Sequence, residues 1–216
     1  MFFLPIGCLI FLLFILFLPI LFLLGFFHIV TLGFERLGIS PEITVLILFL
    51  MLIGSVVNIP LTKKKMVYVE EHSFFGLFKN RRITAQGLAI NLGGAIIPVF
   101  ISLYFLTKVS LGPVIAATFL MIFICNFLAR IVPGRGIVLP ALIPPIFAVL
   151  FALILSPDFA APCAFISGVF GSLIGADILN LRKIQKMKPG FVSIGGAGVF
   201  DGIFLVGIIS ALLATF

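Results

Sequence analysis

Residues 163–183 read Cys163-Ala-Phe-Ile-Ser-Gly-Val-Phe-Gly-Ser-Leu-Ile-Gly-Ala-Asp177-Ile-Leu-Asn-Leu-Arg182-Lys183. No charge interrupts the run before Asp177, and the stretch closes on the basic pair Arg182-Lys183. A helix that crosses a bilayer needs about 20 mostly apolar residues, and this segment has that length and that ending. The pattern recurs along the 216-residue chain, over 3–28, 41–61, 85–106, 113–131, 138–156, 163–181 and 191–214. The composition agrees. It is 62% hydrophobic and 10% charged, with a mean hydropathy of +1.40, where a soluble domain is about 45–50% apolar and about 25% charged. A soluble globule, a disordered chain, a disulfide-stapled secreted domain and a nucleic-acid binder are excluded. The expected fold is all-α: a polytopic transmembrane bundle of about seven spans, one integral membrane domain over 1–216 whose one sizeable loop is 62–84.

The charges sort by side. The chain has 14 Lys+Arg against 7 Asp+Glu, a formal net charge of +7. Lys and Arg mark the cytoplasmic loops of a membrane protein. With the N-terminus inside, those loops hold Lys63, Lys64, Lys65, Lys79, Arg81, Arg82, Arg130, Arg135, Arg182, Lys183, Lys186 and Lys188, while the outer loops hold Arg36 and Lys108. The N-terminus is therefore expected inside and the C-terminus outside, in the cell membrane. The lipid bilayer is the first partner, and the positive excess serves topology and anionic lipid. Met1–Val30 has neither the basic start nor the small-residue cleavage site of a secretory signal, so it is expected to stay as the first span. Cys8, Cys125 and Cys163 are odd in number, far apart and in apolar runs, which reads as inert thiols. No metal and no cofactor is expected.

Three spans should break. The third contains Asn91-Leu-Gly-Gly-Ala-Ile-Ile-Pro98. The fifth is entered by Pro133-Gly-Arg-Gly136 and then Pro140-Ala-Leu-Ile-Pro144-Pro145, and the seventh opens Ser193-Ile-Gly-Gly-Ala-Gly198. Proline removes a backbone donor and glycine loosens a helix. At membrane depth such breaks persist where protein or a water-filled cavity satisfies the freed groups, although both residues also occur as simple kinks and packing notches. Ser167-x-x-x-Gly171-x-x-x-Gly175 and Gly198-x-x-x-Gly202 are small-residue stripes of the kind that lets helices approach closely. With a short link between spans six and seven, these two faces are expected to meet.

Among the acids, Glu35, Glu42 and Asp158 belong to the outer surface and Glu70 and Glu71 to the long loop. Asp177 and Asp201 fall inside spans six and seven. A carboxylate at membrane depth costs about 2.5–3.5 kcal/mol on insertion scales and marks a functional position by default. The plainer reading for Asp177, five residues before Arg182, is that it faces interfacial water beside a base. If the two acids meet, they cannot both ionise in a medium of low dielectric. Such a pair can activate water while polarising a carbonyl, as peptide-bond hydrolysis requires. It can equally bind and release H⁺ or Na⁺ during transport.

Gly196-Ala-Gly198-Val-Phe-Asp201-Gly-Ile-Phe-Leu-Val-Gly207, an Asp near the inner end of the preceding span, and the tripeptide Pro140-Ala141-Leu142 together resemble the GxGD-type intramembrane aspartyl proteases, the presenilin and signal-peptide-peptidase group. That resemblance implies an all-helical protease of the membrane, with Asp177 and Asp201 as the catalytic pair. It also implies a transmembrane peptide as substrate and Pro140, Ala141 and Leu142 beside it. The chain departs from the pattern in three ways. Val199 and Phe200 separate Gly198 from Asp201, Ala176 precedes Asp177 where the family has Tyr, and the Pro-Ala-Leu precedes both acids. The chain as a whole resembles a family of prokaryotic multi-span membrane proteins to which no activity attaches.

An internal echo offers a different reading. Gly54-Ser…Asn58-Ile-x-Leu-x-Lys63-Lys64 ends span two and Gly171-Ser…Asp177-Ile-x-x-x-Arg182-Lys183 ends span six. Span three carries Leu92-Gly-Gly-Ala95 and span seven Ile194-Gly-Gly-Ala197. As a parallel repeat, spans one to three and five to seven would set Asn58 against Asp177 with Asn91 close by, and broken repeats are a transporter signature. In so Gly- and Ile-rich a chain the echo is also within the reach of coincidence. The candidate binding residues are thus Pro140, Ala141, Leu142, Gly196, Gly198, Asn58 and Asn91, and the candidate ligands a membrane peptide or a small ion. A non-catalytic scaffold remains the third function class. His72 with Glu70 and Glu71 is a poor ligand set in a solvated loop. Met66–Glu71 alternates in the manner of a short hairpin or interfacial segment.

Overall fold

The computed structural model describes residues 6–63, 65–73, 78–132, 136–183 and 191–213. Its helices are α1 (Ile6–Arg36), α2 (Pro41–Gly54), α3 (Ile97–Leu106), α4 (Leu111–Leu128), α5 (Ile143–Leu155), α6 (Ala160–Ser172) and α7 (Ala197–Leu213). A π-helical turn, Leu92–Ile96, leads into α3, and another, Leu173–Ile178, continues α6. The strands are β1 (Asn58–Pro60), β2 (Lys65–Ser73), β3 (Phe78–Asn91), β4 (Arg130–Val132), β5 (Gly136–Val138) and β6 (Phe191–Ile194).

Among the described residues, three helices are long and apolar enough to cross a membrane: Phe11–Glu35, Leu111–Leu128 and Pro157–Lys183. Four apolar helices are shorter: Pro41–Gly54, Leu92–Leu106, Ile143–Leu155 and Ala197–Ser210. The uniform set of seven spans is therefore corrected in length. At 1.5 Å per residue, the 14 residues of α2 cover about 21 Å, short of the roughly 30 Å hydrocarbon layer.

The chain is mostly helical, as expected, but the missing lengths of the expected spans are strands. Residues 58–60, 85–91 and 191–194 of the expected second, third and seventh spans pair with one another. β3 takes β1 and β2 antiparallel, with Asn58 opposite Asn91 and Lys65 opposite Gln86. Leu61 and Thr62 both donate their N–H to the Leu88 carbonyl where β1 gives way to β2. On its other edge β3 pairs in parallel with β6, Ile90 opposite Ile194. The expected loop 62–84 is therefore largely the β2–β3 hairpin, and Met66–Glu71 lies within it. Lys64, Phe74, Phe75, Arg135, Lys186 and Lys188 lie outside the described residues, as do Pro133 and Gly134 of the fifth break.

Close backbone contact explains why the helices stop where they do. A Cβ on Gly93 would sit 1.9 Å from the Met51 carbonyl oxygen of α2, and one on Gly94 would sit 2.1 Å from the Gly195 oxygen. Chain can pass there only as glycine, and a continuous helix through residues 85–106 would carry side chains into α2. The breaks in the third, fifth and seventh segments fall at the Gly and Pro clusters.

The core is built around α6. In the most apolar part of the Pro157–Lys183 helix 83% of residues are buried, against 6% in that of Phe11–Glu35. Every residue of α1 from Phe11 to Gly25 is exposed, which suits a helix apolar all round with lipid against it. Among its described side chains, Val30 and Phe34 enter the core, and Phe26 and Phe27 pack against it. There Phe34 and Phe105 both meet Phe165 edge-on, with ring centroids 6.4 and 5.2 Å away. The expected meeting of small-residue stripes is corrected. Gly171 and Gly175 press on α4, where an added Cβ would stand 2.3 Å from Met121 Cβ and 2.4 Å from the Ile122 oxygen. Gly198 presses on β5, 2.0 Å from the Ile137 oxygen by the same measure. α6 and α7 meet instead at Gly168 with Val206 and at Gly207 with Phe165.

Candidate functional site

At the end of the bundle where β1, β6 and the π-helical end of α6 converge lies a cavity of about 150 Å³. Ser55, Asn58, Asp177, Ser193, Gly196 and Gly198 are among its lining residues.

Asp177 stands in the π turn, a local widening that often re-aims a side chain at functional positions. The turn is closed by the Leu179 N–H donating to the Ile174 carbonyl at 3.0 Å. Asn180 secures it: its amide donates to the carbonyls of Gly175 and Ala176, at 3.2 and 3.0 Å, and to Asn126 Oδ1 of α4 at 3.1 Å. Asp177 is 2% exposed. Its Oδ2 accepts the Gly195 N–H. Gly195 has φ +68°, a left-handed conformation that glycine adopts without steric cost. Asp177 Oδ1 makes no hydrogen bond to a described residue, and the residue lines the cavity.

Across the cavity an amide network holds the first half of the chain. Asn91, 1% exposed, receives the Gly94 N–H at Oδ1 (2.7 Å) and so caps the π turn before α3. Its amide nitrogen donates to the Ser55 carbonyl at 2.6 Å and to Asn58 Oδ1 at 3.1 Å. Ser193 Oγ of β6 donates to the same Asn58 oxygen. Asn58 itself is exposed, so the cavity opens at Asn58 and ends at Asp177.

Of the residues singled out by sequence, Asn58, Asp177, Gly196 and Gly198 line one cavity, and Asn91 supports it from behind. Asp201 is not among the lining residues and is exposed on α7. It follows the cavity-lining Val199 by two residues, about 200° around a helix of 3.6 residues per turn. Of the two aspartates, Asp177 alone lines this cavity. Pro140, Ala141 and Leu142 form the turn into α5 and also stand apart from the cavity. Leu139 donates its N–H to the Gly198 carbonyl at 2.8 Å. A Cβ on Gly202 would lie 3.8 Å from the Ala141 oxygen, while Leu142 is 62% exposed. The tripeptide thus packs on the start of α7, near Asp201. Ser55, Ser193 and Asn180 were not foreseen as site residues. The first two did stand in the sequence, in Gly54-Ser55 of the echo and at the head of the Ser193-Ile-Gly-Gly break. Asn180 carried no signal.

The two Gly-Gly-Ala segments do come together. β3 and β6 run parallel into them, and Gly94 packs against Gly195. His72, Glu70 and Glu71 lie on β2, whose backbone pairs with residues 79–81 of β3.

A family model described as "Protein of unknown function (DUF1614)" matches residues 52–213. The chain belongs to that family, and the match begins in the last turn of α2, leaving α1 outside it. No curated protein and no solved structure matches the chain.

Proposed function

We propose that this member of the DUF1614 family is a transporter or channel of a prokaryotic cell membrane that takes up and releases a small cation, H⁺ or Na⁺, at Asp177. One observation carries the reading: a carboxyl group buried among apolar helices lines a polar cavity, and one of its oxygens has no hydrogen-bond partner among the described residues. An ionisable side chain in such a segment is costly, and ion pathways are where such groups are found. The cavity is made of interrupted elements, the π turn that carries Asp177, the short strands β1, β5 and β6 and the first turn of α7, as ion sites between broken helices are. The parallel approach of the two Gly-Gly-Ala segments supports descent from a repeat. On this reading the chain is one membrane domain with seven crossings, the N-terminus inside, and the Asp177 end of the bundle cytoplasmic.

The test is ion movement into vesicles holding the purified full chain. Cation flux that Asp177→Asn abolishes and Asp201→Asn leaves intact is the expected result. A paired-aspartate hydrolase would lose cleavage of a membrane peptide with either substitution. Its geometry requires two carboxyls on one water, and Asp201 is not among the residues that line the Asp177 cavity. A scaffold would tolerate both substitutions, and no ion flux in wild type would overturn the transport reading.

A further inference from the structure

Resting on that reading, we infer that the cation is the proton and not sodium, and that Asn58 enforces the choice by turning its amide NH₂ group into the cavity. The orientation of Asn58 follows from groups with only one possible role. The Ser55 carbonyl can only accept, so the Asn91 atom 2.6 Å from it is nitrogen. The Gly94 N–H can only donate, so the Asn91 atom 2.7 Å from it is oxygen. That nitrogen also donates to Asn58, so the Asn58 atom facing Asn91 must be its oxygen. The Ser193 hydroxyl donates to the same oxygen, and both acceptor positions of a carbonyl-type oxygen are then filled. What remains free on Asn58 is the NH₂ group, which makes no hydrogen bond to a described residue. Asn58 is exposed and lines the cavity.

The site therefore presents an acceptor at its floor, Asp177 Oδ1, and a donor at its mouth, Asn58 Nδ2. A hard cation needs a shell of oxygens that replaces its water. Here the amide oxygen is occupied and the group in its place is a positively polarised NH₂. A cavity of about 150 Å³ has room for several waters, and waters between a carboxylate and an amide donor are a proton's path. The step balances: Asp177 Oδ1 takes H⁺ from a hydronium ion, an O–H bond forms as another breaks, and water is left. Release to a second water reverses it.

The experiment uses the full chain in phosphatidylethanolamine and phosphatidylglycerol vesicles. A trapped pH-sensitive dye reports H⁺ entry, and radioactive sodium is followed in parallel. Expected are H⁺ entry driven by an imposed potential, no change when choline replaces sodium, no sodium uptake, and loss of H⁺ entry in Asp177→Asn. Asn58→Asp exchanges one NH₂ for oxygen while keeping the acceptor that Asn91 and Ser193 use. H⁺ entry through that variant should become inhibited by added sodium. Sodium uptake by wild type that Asp177→Asn removes would overturn the proton assignment and leave the transport reading standing. Neither ion moving would overturn both, and sodium indifference of Asn58→Asp would overturn the role given to Asn58. Infrared difference spectra of the purified protein supply a second measurement. Acidification should raise a carboxyl band that is absent in Asp177→Asn and unmoved by sodium, and a sodium-sensitive band would overturn the inference without any reconstitution.

Discussion

Asn91 holds two halves of the chain with one side chain. It accepts from the π turn before α3, and it donates to the end of α2 and to β1. A buried polar group that loses its partner costs about 1–3 kcal/mol. Asn91→Leu strands the Gly94 N–H and the Ser55 carbonyl together, so a loss of about 2–5 kcal/mol is expected, read as a marked fall in Tm in detergent. Asn91→Asp keeps an acceptor for Gly94 but sets oxygen against the Ser55 carbonyl, so it should also destabilise. An Asp variant as stable as wild type would show that the Ser55 contact carries no weight. Sequence singled out Asn91 and Asn58 because polar residues stand out in an apolar chain. Ser193 and Asn180 were missed because their partners, Asn58 and Asn126, lie 135 and 54 residues away. A hydroxyl or amide declares its use only through the group it meets. The Gly-rich surroundings of Asp201 resemble a motif, but the direction of its side chain around α7 is set by the packing of that helix and was not legible in the sequence.

At the scale of elements, the positions of the breaks were legible and the structure that fills them was not. Glycines at 93, 94 and 195 mark where no side chain fits. Leu88-Ala-Ile90 beside them reads equally well as the start of a membrane helix or as a buried strand. Pairing with β1 and β6 decides for the strand. Small-residue stripes announced close packing without naming the partner, and α4 took the place expected for α7. Gly171→Val should therefore be severe, since even a Cβ there meets Met121 Cβ at 2.3 Å and its backbone carbonyl carbon at 3.1 Å. Overpacking of a filled core costs about 1–3 kcal/mol and sometimes more. Gly112→Ala, with nothing within 4 Å of the new methyl, is the control. Size-exclusion profiles of the two variants should separate, with loss of monodisperse protein only for Gly171→Val. Equal behaviour would mean that α4 and α6 are not held this closely. Gly195→Ala combines a φ of +68° with a Cβ 2.6 Å from Gly94, so it should disrupt the β6–α7 turn and, with it, the contact to Asp177.

For the whole molecule, composition identified a membrane protein, and the charges gave it two unlike ends. Leu37, Lys108 and Asp158 surround a second, larger cavity of about 550 Å³, where α1, α3 and α5 end and α4 and α6 begin. Arg130 and Arg182 stand at the other end, with Asp177 and the strands. On the proposed orientation, the bias of Lys and Arg toward one side puts the Asp177 end at the cytoplasmic face. Single cysteines test this assignment in a background lacking Cys8, Cys125 and Cys163. A membrane-impermeant thiol reagent applied to intact cells should label Lys108→Cys at once and Arg182→Cys only after permeabilisation. The opposite order would invert the protein in the membrane and place Asp177 on the outer side. Labelling of both sites from outside would mean that the four short helices do not carry the chain across. Of these the short helices are the sharper question, because α2 at about 21 Å spans the hydrocarbon only if the strands continue it or the bilayer thins around it.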